Sequence, residues 1–191
     1  MLCAVLAGFA ILIGYDSKPS SAGHVPGRIP ATAAASLDEF RPTLFLFAHP
    51  QCPCTRATMS ELDRLAARCG DKIRIMVYFL SEPELGEEAI HGQLWAMASG
   101  IPGVEVREDD SGTVARSFAV ETSGQALLYA PDGHLLFEGG ITSARGHEGD
   151  NDGKTSILEV VHGGTPPCAS TPVYGCSLRS EATEGETSIA P

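Results

Sequence analysis

The order of apolar runs predicts an α/β domain built on a mixed central sheet with helices on both faces. Two observations carry this. A continuous apolar run, "TLFLFAH" (Thr43 to His49), is followed by a helix-period run and then by a second β-rich run. Two further apolar runs flank Pro131-Asp132-Gly133, a hairpin signal, before a closing helix. A helix between the first two strands requires parallel pairing, whereas the hairpin adds antiparallel strands.

Each element has a local reason. "TLFLFAH" has no polar alternation, as expected of a strand covered on both faces. "CTRATMSELDRLAARCG" places Ala57, Leu62, Leu65 and Ala66 at helical spacing, with Gly70 as a stop. "KIRIMVYFL" (Lys72 to Leu80) is β-branched and aromatic, hence a strand. "EEAIHGQLWAMAS" suits a helix weakened by Gly92, with Trp95 and Met97 directed to the core. "VEVRE" forms a short strand, and "SGTVARSFAV" a short helix capped by Ser111. "DGKTSILEVVHGG" is the last helix, ended by Gly163 and Gly164.

Four regions follow. Residues 1–15 read as a signal peptide or membrane anchor, because Met1 to Gly14 carries no charged side chain; this implies an exported, extracytoplasmic setting. Residues 16–36, rich in Ser, Ala, Gly and Pro, read as a flexible linker. Residues 37–164 form the domain, and residues 165–191 a loose tail stapled at most by Cys168 and Cys176. The net charge of −11, with no basic cluster, excludes nucleic acid as a partner and leaves membrane contact to the N-terminal segment. Export makes disulfides durable. With Cys3 in the leader, Cys52, Cys54, Cys69, Cys168 and Cys176 remain, so one thiol is left free or pairs transiently. Cys69 reads as a buried thiol.

In "FAHPQCPCTRATMSEL" a cysteine follows the first core strand where a helix begins. This arrangement resembles the thioredoxin-like redoxin superfamily over Leu37 to Gly163, with Cys52 at the first cysteine of a Cys-x-x-Cys and Arg56, Ala57, Met59 and Leu62 on the following Arg-Ala-x-Met-x-x-Leu pattern. It is similar in detail to RedB-like membrane-anchored redoxins, through His-Pro before Cys-Pro-Cys, the "GGIT…RGHEGDN" loop (Gly139 to Asn151) and "VYGCSL" (Val173 to Leu178). The resemblance implies a thioredoxin-like fold and thiol–disulfide exchange with a dithiol or disulfide protein, without a cofactor. Two positions depart from it: Thr55 stands where the resolving cysteine is usual, and the slot for a cis-proline that pairs substrate backbone falls near Gly124.

Residues two apart in a helix point about 200° apart, so Cys52 and Cys54 bridge only if Cys52 is the N-cap and Pro53 the first helical residue. Cys52 is then the nucleophile, its thiolate favoured by unpaired helix N–H groups. Thr55 is placed to donate its hydroxyl, His49 to stabilise the charge when protonated, and Cys54, or less favourably a tail cysteine, to release the mixed disulfide. This scheme requires the Cys52 sulfur to meet water at the mouth of the helix. The competing chemistry is copper or zinc binding through His49, Cys52 and Cys54, completed by His91 or His147; a peroxidase and an inert binding module rank behind it. Glu148, Asp150, Asp152 and Glu159 nearly fit a calcium loop but read better as a solvated helix cap. No nucleophile elbow or phosphate-binding glycine loop is present.

Overall fold

The computed structural model describes Gly8, Gly14 and residues 17–178. The leader expected over residues 1–15 therefore lies, apart from those two glycines, outside the described residues. Among the described residues no helix is long and apolar enough to cross a membrane.

The strand β1 (Thr43–Ala48) is buried at all six positions because it is paired on both edges and covered on both faces. It runs parallel to β2 (Arg74–Ser81), with Phe45 opposite Met76, and antiparallel to β4 (Gln125–Tyr129), with Phe45 opposite Leu127. β3 (Val104–Asp110) continues the parallel side and β5 (Leu135–Gly140) the antiparallel side, giving the order β3-β2-β1-β4-β5. The mixed sheet is the one expected.

Alternation along β1 divides the core. Leu44, Leu46 and Ala48 face α1 (Thr55–Cys69), α3 (Gln93–Ser99) and α5 (Asp152–Val161), through Met59, Leu62, Leu65, Leu94, Ala98 and Ile157. Phe45 and Phe47 face the other way, against Phe118, which follows α4 (Thr113–Ser117), with ring centroids 5.0 and 5.5 Å apart.

Several local expectations change. The helix expected over residues 87–99 is two pieces, α2 (Glu87–Ile90) and α3, broken at Gly92; Trp95 and Met97 are half-buried on the core's edge. Ser111 does not cap α4. It has φ 52°, and the buried Asp109 carboxylate instead accepts the N–H groups of Val114 and Ala115 at 2.7 and 2.8 Å, since its two oxygens serve two orphan donors at once.

The segment expected as a flexible linker is laid on the domain. Its backbone pairs with the hairpin (Ile29 N–H to Gly133 O, 2.9 Å; Leu135 N–H to Gly27 O, 3.0 Å), Tyr129 donates its hydroxyl to Pro26 O at 2.9 Å, and Val25 and Ala33 are buried. Paired backbone groups and apolar contacts compensate the ordering entropy that its Gly/Pro content led us to expect would win. The tail is likewise docked as far as Leu178, with Val173 and Leu178 buried. Cys168 meets Ser156 Oγ at 3.3 Å while Cys176 lies by Cys52, so the two tail cysteines are not a pair.

Glu61 on α1 is fully buried and binds Lys154 Nζ, the Gly149 N–H at 2.7 Å and Arg64, which also reaches Glu148 at 2.8 Å. The acidic loop once comparable to a calcium site is thus tied to α1 by this network, and Asn151 caps α5 by accepting the Lys154 N–H at 2.8 Å. Burial alone would raise the Glu61 pKa, but Lys154, the Gly149 amide and Arg64 together hold it below the ordinary value. Glu61→Ala is therefore expected to lower stability at neutral pH by about 3–5 kcal/mol in urea denaturation, because it leaves Lys154 buried without a counter-charge. A carboxylate with a lowered folded pKa stabilises above the unfolded value and loses that contribution as pH falls through the folded one. The gap between wild type and variant should accordingly close in acid; an unchanged gap would contradict the assignment.

Candidate active site

Beyond β1 the chain turns twice before α1. Cys52 N–H donates to His49 O and Thr55 N–H to Cys52 O, both at 3.1 Å, and Cys54, not Cys52, is the N-cap, with φ −67° and ψ −28°. Cys52 thus stands two residues farther out than expected, and Pro53 lies in the turn. The helix start still serves the sulfur, because the polar groups of Thr55, the first residue of α1, favour the Cys52 thiolate.

Ser123, which the sequence reading missed, organises the donors. Its hydroxyl accepts the His49 N–H at 2.8 Å and lies 2.7 Å from Thr55 Oγ1. An oxygen that accepts from His49 is free to donate to Thr55, which leaves the Thr55 proton for Cys52. The result is a relay of donors ending on the sulfur. His49 contributes through its backbone. Its imidazole Nδ1 accepts the Gln51 N–H at 3.1 Å, and burial holds its pKa below the usual value, so the ring is kept neutral rather than cationic.

The fourth contributor is Cys176, whose N–H donates to Cys52 Sγ at 3.4 Å. Burial alone would raise the Cys52 thiol, yet hydrogen bonds from Thr55 and Cys176 bring it below the ordinary value. The neighbouring thiols move the opposite way: Cys54 is raised by burial and by the charge of Cys52, and Cys176 is pushed up to about 12; at the far end of α1 burial pushes Cys69 up to about 11. Arg145 tempers Cys54 and Cys176 with its positive charge, and holds the tail by donating to Gly175 O at 2.9 Å.

The requirement that Cys52 meet water is not met with the tail docked, since Cys52 is only 1% exposed. Cys54 is half-buried and Pro53 exposed. Beside them an open cleft of about 220 Å³, lined by Pro50, Gln51, Cys52, Pro53, Arg56 and Gln93, leads to the turn. Among the described residues no three His, Cys, Asp or Glu side chains are arranged to hold a metal ion, and His91 pairs with Glu108 instead. At Gly124, where the resemblance would put a cis-proline and the sequence has none, φ is 89° and the N–H donates to Phe47 O at 2.7 Å; no cis peptide occurs among the described residues.

No family model matches the chain, and no curated protein matches it. Solved structures do. A hypothetical protein from Sinorhizobium meliloti overlaps 88% of this chain and 100% of its own at TM-score 0.64 and 18% identity. An uncharacterized conserved protein from Geobacillus kaustophilus overlaps 88% of this chain and 93% of its own at TM-score 0.64 and 17% identity. The thioredoxin domain of a thiol-disulfide oxidoreductase from Bacteroides vulgatus overlaps 75% of this chain and 98% of its own at TM-score 0.48 and 16% identity. With three parallel strands, an antiparallel hairpin beside the first, and helices on both faces, the chain has a thioredoxin-like α/β fold.

Proposed function

We propose that the protein carries out thiol–disulfide exchange with Cys52 as the attacking sulfur and a dithiol or disulfide protein as partner. The observation that supports it best is the convergence of donors on one sulfur: Thr55 and Cys176 lower the Cys52 thiol while its neighbours are raised. A lowered thiol supplies more thiolate near neutral pH, and the thiolate is the species that attacks a disulfide. Thr55 stabilises the nucleophile, His49 anchors the donor relay through its N–H, and Cys54 is the sequence-adjacent thiol that the Cys-Pro-Cys order offers for release. An exported or membrane-anchored location suits this chemistry and draws support from the uncharged run Met1 to Gly14.

Exchange requires the tail to lift. Gly175 makes this testable, because a Cβ there would sit 1.9 Å from Ser123 O. Gly175→Val is expected to displace the tail and raise the alkylation rate of Cys52 several-fold, read by mass spectrometry of the modified peptide; an unchanged rate would mean that the tail is not what covers the sulfur. Cys52→Ser should abolish mixed-disulfide formation with oxidised glutathione, and adducts that persist without Cys52 would reject the assignment.

Thr55→Val removes a donor to the charged sulfur, so the Cys52 thiol should titrate at higher pH by thiolate absorbance, and its reaction rate near neutral pH should fall several-fold. A midpoint that does not rise would remove Thr55 from the site.

A further inference from the structure

We infer that Cys176, carried on a tail segment docked like a bound peptide, is the second thiol of the redox couple and closes a reversible disulfide with Cys52. This rests on the exchange reading above but assigns the resolving role to a different sulfur from the one its motif offers.

The tail is fitted to the site. Leu178 N–H donates to Glu121 O and Ser123 N–H to Cys176 O, both at 2.8 Å, so residues 176–178 add antiparallel to the segment just before β4. In the resemblance, that segment is where a partner's backbone would pair, so the tail takes the place of a partner peptide. Val173 and Leu178 are buried on either side of the turn, Gly175 fits because it has no side chain, and its carbonyl is held by Arg145 and by Ser20 Oγ at 2.9 and 2.8 Å. Cys176 is thus fixed on both sides, its carbonyl on Ser123 and its N–H 3.4 Å from Cys52 Sγ. Its Cβ is two bonds from that nitrogen, which brings the pair into disulfide range with a rotation of side chains.

Cys54 also reaches Cys52 with its side chain, but closing a bridge to it is constrained. Pro53 alone separates it from Cys52, and Cys54 has helical dihedrals in a turn closed by Thr55 N–H on Cys52 O. A disulfide spanning a single residue closes a small ring and forms only under strain. Bridging them would undo the turn that presents Thr55 to the sulfur.

The chemistry balances without a cofactor. With the tail lifted, the Cys52 thiolate attacks a partner's disulfide; the Cys52–partner S–S bond forms, and the partner's other sulfur leaves as a thiolate. Cys176 then gives up its proton, which that thiolate takes through solvent, and its sulfur attacks Cys52 Sγ. The Cys52–Cys176 bond forms as the Cys52–partner bond breaks, and the partner's second sulfur departs and is protonated. The partner gains two electrons and two protons, and this chain loses them. Part of what raises the Cys176 thiol is the charge on Cys52. That charge disappears in the mixed disulfide, so the first step eases the second.

The test is oxidation of the full-length chain with glutathione disulfide, followed by peptide mapping without reduction on wild type, Cys54→Ser, Cys176→Ser and the double variant. The expected result is a Cys52–Cys176 link in wild type and in Cys54→Ser, lost in Cys176→Ser, where glutathione accumulates on Cys52. A glutathione adduct on Cys52 in the double variant, with no Cys52–Cys176 link in wild type or Cys54→Ser, overturns this inference alone and leaves exchange intact. No adduct on Cys52 in any variant overturns both.

Discussion

Ser123 is the residue on which the site depends. It is fully buried, and each of its polar groups meets a different stretch of chain: the hydroxyl joins His49 to Thr55, the N–H holds Cys176, and the carbonyl leaves room only for Gly175. Without it the end of β1, the start of α1 and the tail would have no common point. A buried hydroxyl with both acceptor and donor satisfied stabilises this arrangement because every alternative leaves a polar group unpaired.

What positions Ser123 is the sheet. β4 is locked between β1 and β5, so the residues just before Gln125 emerge beside the C-terminal end of β1. The two strand ends deliver His49 and Ser123 to within hydrogen-bond distance although 74 residues separate them. On the other flank the Glu61 network ties α1 to the loop before α5, and that loop carries Arg145 toward the tail. The "RGHEGDN" stretch is therefore scaffold: Glu148 and Gly149 grip α1, Asn151 caps α5, and Arg145 reaches the thiols.

The sheet, the hairpin and α1 were legible because uninterrupted apolar runs and helical spacing are local signals, set by burial on one or both faces. Cys52 was legible from its place after β1. Ser123, Arg145 and the position of Cys176 were not, since a single polar residue that finds its partner across dozens of positions leaves no periodic trace. The same limit explains the linker. Pro, Gly and Ser describe a chain with little local preference, and backbone pairing with the hairpin decides its course. Ser111 misled for a related reason: a serine before a helix resembles a cap, but the buried carboxylate of Asp109 lies nearer the orphan N–H groups.

One pairing links the two ends of the described chain. Ser20 donates its N–H to Val173 O and its hydroxyl to Gly175 O, each at 2.8 Å, so the incoming chain runs alongside the segment that shields Cys52. The course of the entering chain and the cover over the thiol thus share one anchor, the backbone and hydroxyl of Ser20.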